Sequence, residues 1–183
     1  MTNEIRMHSG AMIELTDIDP RAVCIEDIAH NLANLCRFTG GTNRFYSVAE
    51  HSHLVAAILK ENGCETATVL HGLLHDATEA YLGDVSSPLK ALLPAYQALE
   101  RNAERVIFEA LGVRPVSPSL VYEADKMAFV IETNALQGRG LPMDQNEWVL
   151  KVPAGARVGN YELSREFWKH ALIRNFYDLK GKL

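Results

Sequence analysis

Residues 66–81 of the chain read TATVLHGLLHDATEAY. Their large apolar residues recur at intervals of three and four, as on one face of a helix: Val69, Leu70, Leu73 and Leu74. Gly83 is placed to end such a helix. The pair His75-Asp76 closes the apolar face, where a carboxylate without a partner or a metal would carry a large desolvation cost. The stretch therefore predicts a helix over 66–81 that brings polar chemistry to the edge of a core.

The preceding helix is predicted over residues 48–62 and begins with a capping box. Ser47 and Glu50 stand at the spacing at which the serine oxygen accepts from a backbone N–H and the glutamate reaches back to the start of the helix. Gly63 is placed to end it. His51 therefore falls in the first turn of this helix.

Further helices are predicted from the same periodicity and from Ser-Pro start signals. One runs from residue 25 and stops at Gly40-Gly41, and the others cover about 87–92, 96–111, 118–137 and 164–179. A short strand is predicted over 11–15. Residues 141–161, rich in Pro, Gly and polar side chains, predict a loop, with a short hairpin as the alternative. The predicted fold class is all-α: a single-domain helical bundle over residues 1–183 with a minor loop or hairpin insertion near its C-terminal third.

The composition limits the partners that the chain can have. Its 183 residues, 48% of them hydrophobic, suffice for one sizeable core. With 23 acidic residues against 18 Lys and Arg, it should attract nucleic-acid polymers weakly, so any phosphate must be captured locally. The three cysteines form no CxxC pair, which indicates reduced thiols. Without an apolar run of about 18 to 20 residues or a signal-like start, we expect a cytoplasmic protein that binds no membrane.

Two imidazoles and two carboxylates from three predicted helices form a candidate ligand set: His51, His75, Asp76 and Asp125. Mixed nitrogen and oxygen donors suit one divalent transition metal (Co, Mn, Zn, Ni or Fe) better than Ca or Mg, which prefer oxygen alone. Four protein ligands leave open positions on a six-coordinate ion, where water can be acidified and a phosphoryl oxygen polarised. A lone histidine on a helix is more often structural, and Asp125 could instead pair with a lysine or arginine. The combination of all four favours a metal site.

The order H…HD…D in this set resembles the pattern of the HD-domain phosphohydrolases. Successive blocks resemble the bacterial 5′-deoxynucleotidases and the phage dATP triphosphohydrolases of that family: residues 46–52 (YSVAEHS), 74–80 (LHDATEA), 83–90 (GDVSSPLK) and 123–125 (EAD). Residues 25–38 look closer to the triphosphohydrolases. The resemblance covers about residues 25–132 and implies an HD-domain bundle. HD proteins with two metals typically have extra histidines between the HD pair and the last aspartate. This chain has none there, so a mononuclear site is expected.

The resemblance also implies two catalytic carboxylates. Glu79 lies one helical turn beyond His75 and would orient water or move a proton, with a solvated glutamate as the alternative. Asp84 resembles the acid with which the family contacts the sugar, although Gly83-Asp84 could equally form a turn.

Three residues are candidates for substrate binding. Arg37 resembles the family's substrate-binding arginine and could hold a phosphate bidentately, and Lys90 supplies a second cation. Phe38 resembles the aromatic residue beside that arginine, although an aromatic at a helix end usually belongs to the core.

The function expected from these residues is metal-dependent hydrolysis of a small-molecule deoxynucleotide. The resemblance over 25–38 favours triphosphohydrolase activity on dATP or another dNTP, and Mg²⁺ could accompany the substrate phosphates. A 5′-deoxynucleotidase acting on monophosphates is the alternative. The alternative from another functional class is a non-catalytic nucleotide sensor that binds a metal. A purely structural bundle is a third alternative, but it would leave several buried charges without partners. Family members often form homo-oligomers, so the resemblance implies self-association.

Overall fold

The computed structural model describes residues 3–138, 151, 153–159 and 163–183. These residues are mainly helical, with a two-stranded sheet near the N-terminus. The strands are β1 (Glu4–Arg6) and β2 (Met12–Glu14). The helices are α1 (Ile25–Asn34), α2 (Val48–Glu61), α3 (Thr66–Leu74), α4 (Glu79–Leu82), α5 (Ser87–Ala91), α6 (Pro94–Ala110), α7 (Pro118–Glu132) and α8 (Arg165–Lys180). Tight 3-10 turns lie at Pro20–Ala22 and Arg37–Gly40, and a π-helical turn at Thr133–Gln137 follows α7.

Helix α2 is the central element of the bundle. It packs against α1, α3, α7 and α8, while α1 also packs against α4 and α8. Gly72 of α3 faces this contact, and a Cβ at that position would overlap the side chain of Leu59 on α2. The close approach buries large apolar side chains of both helices, and Leu59 and Leu73 are at most 1% exposed. Because α2 is held from several sides, its first turn is fixed in place.

The predicted capping box is present at the start of α2. The Ser47 hydroxyl accepts from the backbone N–H of Glu50 over 3.1 Å, and the Glu50 carboxylate accepts from the backbone N–H of Ser47 over 2.9 Å. Ser47 also pairs with Cys36 in an isolated antiparallel bridge, which ties the segment after α1 to the start of α2. The cap therefore fixes both the helix and the approach of the chain to it.

The helix predicted over 66–81 is broken in the structure, so that part of the prediction was wrong. Helix α3 ends at Leu74, residues 75–78 form turns, and α4 begins at Glu79. Across the break, backbone N–H groups donate to the carbonyl three residues earlier in the sequence rather than four. One example is the bond from the Ala77 N–H to the Leu74 carbonyl. The carbonyl of Gly72 accepts instead from the side chain of His75 over 2.8 Å. Apolar residues continue through the break, which is why periodicity alone did not show it.

Three smaller boundaries also differ from the prediction. Helix α1 ends at Asn34 rather than at Gly40-Gly41, and the chain passes through extended backbone before the 3-10 turn. Helix α5 takes Ser86 rather than Ser87 as its N-cap. The predicted helix 118–137 is α-helical only to Glu132 and then widens into the π-helical turn.

The predicted short strand is present as β2. It pairs with β1 in antiparallel register, with Ile5 opposite Ile13, and Ile13 is 1% exposed in the core. The hairpin considered as an alternative for 141–161 falls largely outside the described residues, and the described part, 153–159, contains turns. Among the residues described, no helix has both the length and the apolar composition needed to cross a bilayer.

We expect Ser47→Ala to lower the free energy of unfolding by about 1 kcal/mol, because it removes a buried N-cap acceptor. Urea unfolding followed by circular dichroism measures this difference. Ser164→Ala is the matched control, since Ser164 caps α8 in the same way, accepting from the Phe167 N–H over 3.1 Å at an exposed site. Water can replace that acceptor, so the control should lose less. Equal stability of Ser47→Ala and the unsubstituted protein would contradict the role of the cap.

Candidate metal centre

Two imidazole rings point their free nitrogen lone pairs at each other. His51, which is 0% exposed, lies with its Nδ1 2.6 Å from Oε1 of Glu132, and Nδ1 of His75 lies 2.8 Å from the carbonyl of Gly72. Both partners are acceptors, so each Nδ1 carries a proton and each Nε2 is left to bind a further proton or a metal ion. The two Nε2 atoms are 3.3 Å apart. Two lone pairs at that distance repel each other unless a proton or a metal cation lies between them.

Two carboxylates complete the surroundings of these nitrogens. Oδ1 of Asp125 lies 3.2 Å from Nε2 of His51. Asp76 lies 3.3 Å from Nε2 of His75 and 3.5 Å from Nε2 of His51, through different oxygens. The ligand atoms of His51, His75 and Asp125 all lie within 4.8 Å of one another, so this group could hold a metal ion. The structure thus places the other three sequence-predicted ligands, His75, Asp76 and Asp125, within 3.5 Å of the Nε2 atom of His51.

The spacing of these atoms fits a transition-metal ion. Nitrogen and oxygen ligands bind such an ion at about 2.0 to 2.2 Å, so two ligands of one ion lie roughly 3.0 to 3.5 Å apart. The distances from Nε2 of His51 to Asp125, His75 and Asp76 are 3.2, 3.3 and 3.5 Å. The donors are mixed nitrogen and oxygen, as the sequence predicted, which suits a borderline divalent ion.

Electrostatics favour a positive charge at this point. Burial and the nearby Arg37 both oppose protonation of His51, but Glu132 and Asp125 outweigh them and raise its pKa to about 9. Burial alone would raise the pKa of Asp125, yet the hydrogen bond and charge of His51 hold it well below its ordinary value. The pocket between these groups therefore takes a proton readily, and a divalent cation satisfies the same requirement.

Sequence reasoning missed Glu132, a fully buried carboxylate behind the metal centre. Besides His51, it accepts from the Tyr46 hydroxyl over 3.0 Å and from the Arg37 guanidinium over 3.2 Å. Burial tends to raise its pKa, but His51 and Arg37 bring that pKa below its ordinary value. The sequence feature that could have indicated a buried Glu132 is its position directly after the apolar run 127–131. Its partners are 81 to 95 residues away in sequence, so local spacing gave that position no role.

The candidate metal centre opens into a cleft of about 730 Å³. Asp76 and Asp125 line this cleft, together with every predicted catalytic and substrate-binding residue: Arg37, Phe38, Glu79, Asp84 and Lys90. The volume lies within the range of roughly 300 to 1,000 Å³ that is typical of small-molecule sites. The lining also includes three residues of α7 that sequence reasoning missed: Tyr122, Lys126 and Phe129. The fold therefore brings together residues from four separate stretches of chain, 37–39, 76–79, 84–90 and 122–130.

Of the two predicted catalytic carboxylates, Glu79 is buried and Asp84 is half-buried. Burial raises the pKa of Glu79 well above its ordinary value, and the negative charges of Asp76 and Asp84 add to the shift. Oε2 of Glu79 is buried and lacks a hydrogen-bond partner among the described residues. Burial likewise raises the pKa of Asp84, with Arg37 acting against it. A carboxylate with a raised pKa beside a cleft is a candidate for proton transfer.

The two predicted phosphate-binding cations already have acidic partners. Arg37 lies 3.2 Å from Glu132 and 3.6 Å from Asp76, and its side chain is only 13% exposed. Lys90 forms an ion pair with Glu100. Lys126, which lies 3.9 Å from Asp125, is the more exposed cation of the cleft, at 35%. Sequence reasoning could place the charges but not their partners.

Phe38 lies in a strained segment of the cleft wall. It and Thr39 have φ values of 55° and 51°, in the left-handed region that residues with a Cβ seldom adopt. The centre of the Phe38 ring lies 5.8 Å from the centre of the Phe129 ring. The Arg37 guanidinium lies 5.3 Å from the centre of the Phe38 ring. Such strain is found mainly where the surroundings hold a functional segment in place. Phe38 thus contributes an apolar surface to the cleft.

The fold and the site together define a helical protein with a candidate metal centre at the base of a cleft. Over 132 residues the chain is 37% identical to YfdR, an uncharacterized protein of Escherichia coli, and the match covers 72% of this chain and 71% of YfdR. Over 128 residues it is 38% identical to an uncharacterized protein of Rhodobacter capsulatus, covering 67% of this chain and 65% of that protein. No family model matches the chain. The chain belongs to the same family as YfdR.

We expect the affinity for a divalent ion to rise with pH. An ion binds the neutral imidazole, whereas His51 with its pKa of about 9 is protonated in the ion-free site at neutral pH. Each bound ion therefore displaces a proton, and the affinity should rise by about tenfold per pH unit until the pH passes the pKa of His51. Calorimetric titration with Mn²⁺ in buffers of different ionisation enthalpy measures both the affinity and the proton release. An affinity that does not change between about pH 7 and 8 would contradict this assignment.

Proposed function

We propose that this protein is an HD-type, metal-dependent phosphohydrolase that acts on deoxynucleotides. The observation that carries the proposal is the cluster of two imidazoles and two carboxylates at the base of a cleft that also holds cations and buried acids. The H…HD…D order of those ligands in the sequence agrees with this arrangement. The resemblance rests on the order of these residues in the sequence, and the site adds the distances between the same residues.

In this proposal His51, His75, Asp76 and Asp125 would hold one divalent transition ion. When bound, the ion would supply Lewis acidity at a phosphoryl oxygen. Glu79, buried with a raised pKa, would accept a proton from the attacking water. Asp84, on the same wall, would contact the sugar of the substrate.

The cations of the cleft would bind the phosphates. Arg37 lies beside Asp76, Lys126 lies 3.9 Å from Asp125, and Lys90 also lines the cleft. Three cations suit a substrate with several phosphates, which agrees with the resemblance of residues 25–38 to the triphosphohydrolases. We therefore propose a deoxynucleoside triphosphate such as dATP as the substrate, with hydrolysis of the monophosphate as the alternative. The aromatic rings of Phe38, Phe129 and Tyr122 would provide apolar contact for the rest of the nucleotide.

The experiment that tests this function is a direct assay of the products. The protein loaded with Co²⁺ or Mn²⁺ is incubated separately with dATP, dADP, dAMP and ATP, and the products are separated by ion-exchange chromatography. Hydrolysis of dATP with release of tripolyphosphate or phosphate is the expected result. Hydrolysis of dAMP alone would establish the 5′-deoxynucleotidase alternative. Binding of dATP without hydrolysis under any of these conditions would overturn the enzymatic proposal and favour a nucleotide sensor.

We expect Glu79→Gln to lower the turnover rate by about 10² to 10⁴, because it removes a proton acceptor while keeping the shape of the side chain. The content of bound metal, measured by atomic emission, should not change. Glu123→Gln is the control, since Glu123 lies on α7 two residues from Asp125 but outside the lining of the cleft. Full activity of Glu79→Gln would remove Glu79 from the catalytic step.

A further inference from the structure

We propose that Glu132 is a positioning residue that fixes His51 and Arg37 together. The binding of the metal and the binding of the phosphate would then depend on a single buried carboxylate. The inference rests on the proposed function, since it takes a divalent ion at His51 and a phosphate beside Arg37 as the groups that are positioned. Sequence reasoning gave Glu132 no role, and its contacts are visible only in the folded chain.

The two carboxylate oxygens of Glu132 accept hydrogen bonds from different side chains, one from His51 and the other from Arg37. Oε1 accepts from Nδ1 of His51 over 2.6 Å and from the Tyr46 hydroxyl over 3.0 Å. Oε2 accepts from the Arg37 guanidinium over 3.2 Å. Because the oxygens belong to one planar group, the distance between the imidazole and the guanidinium is fixed by the width of a carboxylate.

The contacts of Glu132 form part of a closed ring. Arg37 reaches from Glu132 to Asp76 over 3.6 Å, and Asp76 in turn lies 3.5 Å from Nε2 of His51. The ring therefore runs through His51, Glu132, Arg37 and Asp76. Two of its members are candidate metal ligands, one is the candidate phosphate-binding cation, and Glu132 is the member that touches neither the ion nor the substrate. A displacement of Glu132 moves the other members in a concerted way.

Glu132 also determines which nitrogen of His51 faces the metal. A carboxylate behind Nδ1 holds the proton on that atom and leaves the lone pair on Nε2, which points toward His75 and Asp125. Rotation of the ring would break a short hydrogen bond in a fully buried site. Residues that support metal ligands in this way typically change the metal affinity by about 10- to 100-fold when they are replaced.

The competing explanation is that Glu132 only neutralises the buried charge of Arg37. A structural ion pair of this kind affects stability when one partner is lost, because the other charge remains buried. It would have no particular effect on the affinity or on the geometry of the ion. The two explanations therefore differ in how the metal responds, and metal binding can be measured without any assay of activity.

The test compares the Co²⁺ affinity and the visible absorption spectrum of Co²⁺ in the unsubstituted protein, Glu132→Gln and Glu132→Asp. Glutamine keeps the shape without the charge, and aspartate keeps the charge but shortens the reach. We expect both variants to bind Co²⁺ about 10- to 100-fold more weakly and to change the spectrum. If charge neutralisation were the whole role, Glu132→Asp would bind Co²⁺ with the affinity and the spectrum of the unsubstituted protein, and the inference would be overturned.

Glu50→Gln is the matched control. Glu50 is also a buried glutamate, 5% exposed, and it pairs with Arg44 over 3.0 Å and caps α2. Glutamine is compatible with a capping box, so the helix start is kept. This variant should lose stability without a change in the Co²⁺ affinity or spectrum. If it weakens Co²⁺ binding as much as Glu132→Gln does, the effect is one of general destabilisation and the inference fails.

The outcomes separate this inference from the proposed function. If the unsubstituted protein binds Co²⁺ but hydrolyses no deoxynucleotide, the proposed function fails. The role of Glu132 at the metal is then decided by the Co²⁺ affinities of its variants alone. If deoxynucleotide hydrolysis is observed, Glu132→Gln should also raise the KM at saturating metal, because Arg37 loses its partner. If the unsubstituted protein binds no Co²⁺, both are overturned.

Discussion

The close approach of two imidazole nitrogens, which repel each other unless a proton or a metal ion lies between them, constrains the rest of this structure. The Nε2 atoms of His51 and His75 face each other at 3.3 Å, and each ring is locked in that tautomer by an acceptor on its other nitrogen. Neither ring can turn away without losing that hydrogen bond. A cation between them removes the repulsion, and the carboxylate of Asp125 at 3.2 Å adds to the attraction for it. The start of α2, the end of α3 and the middle of α7 are therefore tied to one small volume.

The site lies where regular helix gives way to other backbone. His51 is in the first turn of α2, His75 caps the end of α3, and Glu132 is the last α-helical residue before a π-helical turn. Backbone groups at helix ends lack partners within the helix, so side chains can reach them, as His75 reaches the carbonyl of Gly72. The break after Leu74 also begins α4 at Glu79, and this residue lines the cleft. An uninterrupted helix would not have left that carbonyl for the imidazole.

Each positive side chain around the cleft lies close to an acidic one, so the cleft does not carry a large excess of positive charge. Arg37 is matched by Glu132, Lys90 by Glu100, and Lys126 approaches Asp125. The buried charge of Arg37 is tolerated because it has a hydrogen-bonded partner of opposite sign. A ligand that brings phosphates and a divalent ion would redistribute these pairs, since Asp125 and Asp76 stand between the cations and the imidazoles. This arrangement is consistent with a chain whose net charge of −5 gives it little long-range attraction for anions.

The sequence by itself determined the helical class, most helix positions, the cap of α2 and the residue types of the metal centre, because each of these depends on local spacing or on the cost of burying a charge. It also marked Glu79, Asp84, Arg37, Phe38 and Lys90, all of which the fold brings to one cleft. Only the tertiary structure decided the break between α3 and α4, the partners of Arg37 and Lys90, and the place of Glu132. The physical reason is that hydrophobic periodicity over a few residues is nearly the same for an α-helix and for tighter turns. The partner of a buried charge, in turn, is a residue distant in sequence, 81 positions away between His51 and Glu132, and only packing brings the two together.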